Sequence, residues 1–332
     1  MLSTPRIAKM KKRLATLLLT AATLSAAAQP AVDAHLAAAK KAEGTDFPGT
    51  IARLCIVPDN PVGTGPAAAG AATPRPIPER ASWYAEPARM FDNLYWVGTK
   101  IHSALALQTS GGIILIDTLY NYAVEPEIVQ GLIKLGLNPA TVKYVVITHA
   151  HGDHDEGARL LQDRFGTHVV MGAPDWDLIE KNPAMPGGVP KRDVVGEDGQ
   201  KITLGDTSVT LVSTPGHTLG TLSLIFTVKD RGRPLTVAYS GGTAFNFPKD
   251  TARYDTYIAS QKRMADAAKA AGATVLMSNH SEFDDAWERG RLVRLRRAGE
   301  PHPYEIGADA VQRYFTMTSE CALAMREKLA QR

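Results

Sequence analysis

The sequence predicts an α/β fold in which two mixed β-sheets pack face to face with helices on their outer faces. Short apolar runs rich in β-branched residues recur along the chain, which is typical of buried strands. Helix-like segments accompany them at two places in each half, and a loop rich in Pro and Gly at 182–189 separates the halves. A histidine-rich loop at 148–154 directly follows the apolar run 144–147, so candidate ligands lie at a strand end.

Both halves of the chain contribute strands and helices. Ser-Gly-Gly at 110–112 fits a hairpin turn, and Val124, Ile128 and Leu132 recur at helical spacing before Gly136 ends that helix. The predicted strands are 94–98, 104–109, 113–117, 144–147, 168–171, 208–213, 221–228, 235–240 and 274–278. The predicted helices are 32–42, 124–135, 157–165, one that begins near Pro174, 253–271 and 308–329.

The N-terminus predicts export. A basic segment that ends at Arg13 precedes the apolar run Leu14–Ala28, which closes on small residues of the Ala-x-Ala type. This order is typical of a secretory signal peptide, so residues 1–28 are expected to be removed from a periplasmic or secreted protein. Residues 29–88 read as a partly irregular N-terminal extension because Pro, Gly and Ala accumulate at 58–78 without periodicity. A catalytic domain is expected over 89–332.

Composition narrows the range of partners. The chain has 332 residues, 44% hydrophobic and 21% charged, which is ordinary for a globular protein. A net charge of +3 does not indicate a nucleic-acid partner, and the mature chain has no apolar run long enough for a transmembrane helix. The expected partner is a small-molecule substrate. The sequence leaves the oligomeric state open. Cys55 and Cys321 either form a disulfide in an oxidising compartment or remain two free buried thiols.

Four potential metal ligands stand within six residues: His149, His151, Asp153 and His154. Imidazole and carboxylate together suit zinc. Four neighbouring side chains point in different directions, so we expect His149 and His151 to bind one ion and the other two residues to reach a second. Each ion then needs a ligand from elsewhere in the chain.

Two further histidines stand in similar settings. His217 lies in a turn after the strand 208–213, and His280 follows the strand 274–278. Both lie at strand ends, where α/β sheets place ligands, so they are the candidates to complete the two sites. The other four histidines are interpreted as surface or hydrogen-bonded side chains: His35, His102, His168 and His302.

At these residues the chain resembles the metallo-β-lactamase superfamily. The motif His149-x-His151-x-Asp153-His154, followed by His217 and His280, matches in order and approximate spacing, from about residue 91 to the C-terminus. The resemblance implies an αββα sandwich with two zinc ions per chain at one edge between the sheets. It implies a first zinc on His149, His151 and His217, as in the third subclass of class B β-lactamases. It implies a second zinc on Asp153, His154 and His280.

The superfamily branch depends on one position. Most hydrolases of the superfamily carry an Asp that bridges the metals where this chain has Gly242, whereas β-lactamases lack it. The resemblance therefore favours a β-lactamase. The alternatives are hydrolysis of another ester, lactone or thioester, or a metal-binding relative with weak catalysis. Ala244 stands where the subclass often has a substrate-binding Ser, and Asn246 is the candidate replacement. We also expect an aspartate introduced at Gly242 to reach both metals.

The expected chemistry needs no nucleophilic side chain. A hydroxide held by zinc would attack the β-lactam amide, because zinc lowers the pKa of a bound water to about 7. Asp153 is expected to orient that hydroxide or to accept its proton, in addition to binding metal. Asp117, at the end of its strand, is expected to support the metal-binding loop as a buried hydrogen-bond acceptor.

Overall fold

The computed structural model describes residues 29–56, 76–248 and 250–331. The predicted signal peptide, residue 249, residue 332 and most of the proline-rich segment of the extension, at 57–75, lie outside the described residues. Within the described part of the chain, no helix is both long enough and apolar enough to span a membrane.

The first sheet has seven strands, which lie side by side in chain order. Neighbours pair antiparallel from β1 to β4 and parallel from β4 to β7, so the sheet is mixed. The strands are β1 Ala88–Phe91, β2 Leu94–Trp96, β3 Leu105–Thr109, β4 Gly112–Ile116, β5 Val142–Val146, β6 His168–Gly172 and β7 Val194–Gly196.

The second sheet has five strands in the order β12-β11-β10-β9-β8. Its neighbours pair antiparallel except β11 and β12, which are parallel, so this sheet is also mixed. The strands are β8 Lys201–Leu204, β9 Thr207–Ser213, β10 Leu222–Asp230, β11 Arg233–Ser240 and β12 Val275–Ser278.

The main core lies between the two sheets, and the alternation of side chains along each strand decides which residues enter it. In β4, Ile114 and Ile116 belong to this core, whereas Ile113 belongs to the cluster on the outer face of the first sheet. In β10, Leu224 enters the same core, and Ile225 packs on the outer face of the second sheet. Each sheet therefore buries both faces, which explains its near-continuous apolar sequence.

Helices cover the outer faces. Ile128, Leu161 and Trp176 pack on the first sheet, and Met264 and Tyr314 pack on the second. The fold is thus the predicted sandwich of two mixed sheets between helices. Its helices are α1 29–43, α2 Pro48–Leu54, α3 Arg80–Trp83, α4 Asn121–Ala123, α5 Gln130–Lys134, α6 Gly152–Asp155, α7 Ala158–Phe165, α8 Ala173–Ile179, α9 Thr251–Ala270, α10 Ser281–Asp284, α11 Ala286–Val293 and α12 Ala308–Ala330. A π-helical turn, Val124–Val129, joins α4 to α5, and Pro139–Thr141 forms a 3₁₀ turn.

Residues 29–56 of the N-terminal extension pack on the second sheet rather than standing apart. Ala39 of α1 and Leu54 of α2 share a buried cluster with Tyr314 of α12. A disulfide joins Cys55, directly after α2, to Cys321 in α12, with 4.8 Å between the Cα atoms. Of the two alternatives that the sequence left open for these cysteines, the structure has the disulfide.

The strands that the sequence predicts are present, with ends that differ by a few residues. Three short strands were not predicted: β1, β7 and β8. Each has at most four residues and at least one exposed or half-buried position, so none forms a continuous apolar run. They are held by pairing with longer neighbours rather than by a pattern of their own.

Candidate metal centre

The site begins where the parallel strands β4 and β5 end. Asp117 directly follows β4, and its buried carboxylate accepts hydrogen bonds from the backbone N–H of Thr148 at 2.7 Å and from the Thr148 hydroxyl at 2.9 Å. The same carboxylate lies 3.0 Å from Nδ1 of His154, which donates to it. Asp117 thus supports the first and last residues of the ligand loop, as the sequence predicts.

Three histidines form the first donor group. Nε2 of His217 lies 2.9 Å from Nε2 of His149 and 3.1 Å from Nδ1 of His151. The other ring nitrogens of His149 and His217 face the carbonyl oxygens of Gly241 and Ala244, at 2.9 Å and 2.8 Å. A carbonyl only accepts, so these two nitrogens carry the protons, and the two Nε2 lone pairs point at each other. A cation between them resolves that repulsion, so the group fits a metal ion.

Electrostatics keep the first donor group neutral. Burial lowers the pKa of His149 and of His217 well below the usual value for histidine, and lowers the pKa of His151 to about 4. The neighbouring imidazoles contribute to the lowering in His149 and His217. Zinc binds the unprotonated imidazole, so these residues are ready to act as ligands at neutral pH.

The second donor group contains Asp153, His154 and His280. Oδ2 of Asp153 lies 3.2 Å from Nε2 of His154 and 3.1 Å from Nε2 of His280, and the two Nε2 atoms are 3.1 Å apart. Burial raises the pKa of Asp153, but the positive charge and hydrogen bond of His154 outweigh it, so this pKa lies well below the usual range. Burial lowers the pKa of His154, and the carboxylates of Asp153 and Asp117 outweigh it and raise the pKa to about 10.

The structure therefore brings together all six residues for which the sequence predicts a metal-binding role, and their role as ligands remains a prediction. Rings from the two groups are close, with 4.3 Å between the ring centroids of His149 and His154. The donors come from both sheets: the 148–154 loop follows β5, whereas His217 and His280 follow β9 and β12.

His102 requires a correction, because sequence analysis placed it outside the site. Its Nε2 lies 3.5 Å from Oδ2 of Asp153, and its ring meets that of His280 edge-on with 5.1 Å between centroids. The ligand atoms of these three residues all lie within 4.8 Å of one another. Nothing in the local sequence marks His102, because the contact depends on how two distant loops pair.

The other three histidines lie away from the two donor groups. His35 contacts Glu320 at 2.7 Å, and His168 contacts Asp193 at 3.0 Å. The buried His302 stacks on an aromatic ring, with its Nε2 donating to the carbonyl of Met90.

Gly242 packs so tightly that a side chain there would force its neighbours to move. A Cβ placed on Gly242 would lie 2.6 Å from Cβ of His217 and 3.0 Å from the Thr221 methyl. The neighbouring carbonyl of Gly241 accepts from His149 and, at 2.8 Å, from the side-chain amide of Asn279. The absence of a carboxylate at Gly242 is thus linked to the position of a first-group ligand.

Sequence reasoning missed Asp175, which joins the two ligand loops of the first group. Its carboxylate accepts from the backbone N–H of Ala150 at 2.8 Å, from the Thr218 hydroxyl at 2.7 Å and from the backbone N–H of Gly220 at 2.9 Å. Asp175 lies in the first turn of α8, where an acidic residue normally indicates only a helix start. Its pKa is raised by burial.

A cleft of about 110 Å³ opens beside the donor groups. Asn246, the predicted substrate contact, lines this cleft. Glu282 also lines the cleft and forms an ion pair with Arg53 at 2.9 Å. None of the described residues that line the cleft is Lys or Arg. The lining consists of His151, Asp153, His217, Thr243, Ala244, Asn246, Asn279, His280, Glu282 and Phe283.

Comparison with solved structures finds β-lactamases. BJP-1, a subclass B3 metallo-β-lactamase of Bradyrhizobium japonicum, is 28% identical with a TM-score of 0.59, and the match covers 69% of this chain and 89% of BJP-1. A metallo-β-lactamase of Cronobacter sakazakii is 25% identical with a TM-score of 0.60, covering 72% of this chain and 93% of the other.

Comparison of sequences finds a wider set of hydrolases. A hydroxyacylglutathione hydrolase of Acidiphilium cryptum is 35% identical over 83 residues, which are 25% of this chain and 30% of the relative. A probable metallo-hydrolase of Burkholderia pseudomallei is 27% identical over 164 residues, 44% of this chain and 55% of the relative. The chain thus spans between about a third and about half of the length of these relatives.

The family model of the metallo-beta-lactamase superfamily matches residues 97–231. This match identifies residues 97–231 as a domain of the metallo-β-lactamase superfamily, and the sandwich fold agrees with it.

Proposed function

We propose that the protein is a zinc-dependent hydrolase that opens the amide of β-lactams, with two zinc ions per chain. The observation that carries this proposal is the pair of donor groups with no carboxylate to bridge them, since Gly242 cannot carry a side chain while His217 keeps its place. The superfamily's esterases and phosphodiesterases usually have that carboxylate. The likeness to a subclass B3 enzyme over most of its length supports the same assignment.

The donor chemistry fits zinc. His149, His151 and His217 would hold one ion, and Asp153, His154 and His280 would hold the other. When bound, the ions would supply a water of lowered pKa and a Lewis acid for the carbonyl oxygen.

The chain's own residues then position the substrate and accept the proton of the attacking water. Asp153 is 14% exposed at the side chain and lines the cleft, so it can both bind a metal and take a proton from the attacking water. The side-chain amide of Asn246 offers donors to the substrate, and Phe283 offers an apolar surface. Asp117 and Asp175 fix the ligand loops, which keeps the donors in place during turnover.

A neutral lactone or ester is the second candidate substrate, because of the charge of the cleft. β-Lactam antibiotics carry a carboxylate, and no Lys or Arg of the described residues lines this cleft. The carboxylate of Glu282 lies among the lining residues, and its partner Arg53 is outside the lining. An anionic substrate would therefore depend on neutral donors and on the metals, whereas a neutral ester would have no such demand.

A direct comparison of substrates tests the proposal. Protein loaded with zinc is assayed with a chromogenic cephalosporin, an acyl-homoserine lactone and a hydroxyacylglutathione thioester. The expected result is the highest kcat/KM on the cephalosporin, lost on removal of zinc and in His149→Ala. His168→Ala, which changes an exposed histidine outside the site, serves as the matched control. Preference for the lactone or the thioester would refute β-lactam specificity.

We also propose that the protein is exported, with cleavage after Ala28. Support comes from the basic-apolar N-terminal sequence and from the disulfide, which persists in an oxidising compartment. N-terminal sequencing of protein from a periplasmic extract tests this. Recovery of only the cytoplasmic protein with an intact Met1 would contradict export.

A further inference from the structure

We propose that His102 is a fourth protein ligand of the second metal site, alongside Asp153, His154 and His280. This inference goes beyond the proposed function, because it holds for any substrate that the site hydrolyses. It concerns the number of protein ligands and can be tested without a turnover assay.

The backbone carries His102 to the site. The loop between β2 and β3 pairs with the loop after β12: the N–H of Ser103 donates to the carbonyl of Asn279 at 2.9 Å, and the N–H of Ser281 donates to the carbonyl of Ile101 at 2.7 Å. His102 and His280 face each other in this short antiparallel bridge. Their side chains therefore leave adjacent strands towards the same place, supported by both sheets.

The distances match ligands around one ion. Zinc–nitrogen bonds of about 2.1 Å place two ligand atoms of a tetrahedral site about 3.4 Å apart. The contacts of Asp153 Oδ2 with the Nε2 atoms of His154 and His280 are 3.2 Å and 3.1 Å, and its contact with Nε2 of His102 is 3.5 Å. The last distance exceeds the 2.7–3.2 Å usual for an N–H···O hydrogen bond. It thus fits two ligands of one metal better than a donor and its acceptor.

The environment also suits a ligand role. The side chain of His102 is 17% exposed, close to the 21% of His280. Nδ1 of His102 lies 3.4 Å from the Thr99 hydroxyl, which can accept its proton and leave Nε2 with a lone pair for a metal. The ligand atoms of His102, Asp153 and His280 all lie within 4.8 Å of one another, which is compatible with one shared ion.

A fourth protein ligand changes what the second site can do. Zinc sites in which the protein supplies all four ligands are typically structural, whereas catalytic zinc sites keep one position open for water or substrate. His102 would make up for the side chain that Gly242 does not contribute, and the second ion would be held tightly. The open position of the centre would then lie on the first group, next to the cleft.

Titration of the metal-free protein with Co²⁺ tests the proposal. In His102→Ala, we expect the second Co²⁺ to bind at least about tenfold more weakly than in the wild type. X-ray absorption should count one imidazole fewer per pair of ions, while binding of the first ion is unchanged. His102→Gln keeps a polar side chain of similar size and should lose the same imidazole, which covers the case that the alanine variant does not fold. His168→Ala is the control and should behave as the wild type.

A sulfur ligand gives a second and more direct readout. In His102→Cys loaded with Co²⁺, a thiolate bound to the metal should produce a ligand-to-metal charge-transfer band that the wild type lacks. Absence of the band in the folded, Co²⁺-loaded variant would overturn the proposal. An imidazole count that stays the same in His102→Ala or His102→Gln would also overturn it. In that case His102 would only orient Asp153.

Discussion

Gly242→Ala should weaken the first metal site although it adds a single methyl group. The new Cβ would lie 2.6 Å from Cβ of His217, whereas carbon atoms in contact are normally about 3.5–4.0 Å apart. The two carbons must therefore separate by about 1 Å, and His217 must move with its backbone. Metal–ligand distances tolerate only about 0.2 Å of error, so Nε2 of His217 would leave its bonding position.

We expect the dissociation constant of the first ion to rise by roughly 10- to 100-fold, the range seen when the support of a ligand is lost. Competition with a chromogenic chelator measures it. Gly290→Ala in α11 is the matched control, since the nearest atom to its new Cβ is the Tyr304 hydroxyl oxygen at an ordinary 3.6 Å. Wild-type affinity in Gly242→Ala would refute the reasoning. Gly242→Asp meets the same contact, so we no longer expect an added aspartate to bridge the metals without displacing His217.

Three further predictions concern the support of His154, a buried glutamate and the disulfide. Asp117→Asn should weaken the binding of the second ion by roughly 10- to 100-fold in the same chelator assay, because His154 loses its charged hydrogen-bond acceptor. Unchanged affinity would show that the carboxylate is dispensable. Burial raises the pKa of Glu127 to about 8 from 4.5, so its contribution to stability is complete below about pH 4.5 and is lost as pH rises to about 8. In Glu127→Gln, the free energy of unfolding measured in urea should fall less steeply over this pH range, by up to about 1.4 kcal/mol per pH unit. A pH profile identical to that of the wild type would contradict this. Replacing both Cys55 and Cys321 with Ala should lower the free energy of unfolding by about 2–4 kcal/mol, whereas a reductant should then have no further effect.

Sequence alone predicts those parts of the site that are encoded locally. The motif from His149 to His154 lies on one loop after one strand, so its position follows from the apolar run that precedes it. His217 and His280 are recognisable for the same reason, since each stands in the turn that follows a strand with its own apolar pattern. Long strands such as β10 are predictable because burial on both faces leaves a nearly continuous apolar signal.

The residues that sequence analysis missed depend on contacts between distant parts of the chain. His102 reaches the site only because its loop pairs with the loop that carries His280. Asp175 acts on backbone groups of two other loops, and nothing near it in the sequence reports that. The tight packing of Gly242 on His217 is likewise a property of the folded state. Such roles require knowledge of which strands are neighbours.

The disulfide has a consequence for how the protein responds to proteolysis. Cys55 and Cys321 are separated by 266 positions, and both sheets and all the donor residues lie between them. The bond therefore makes this part of the chain a covalent ring. A single proteolytic cut, for example in the exposed 197–199 turn, opens the ring, but the disulfide keeps the two fragments joined. The cut protein therefore still runs as one band on a non-reducing gel. The nicked protein keeps the two halves of its metal centre on one molecule and separates into two bands only after reduction.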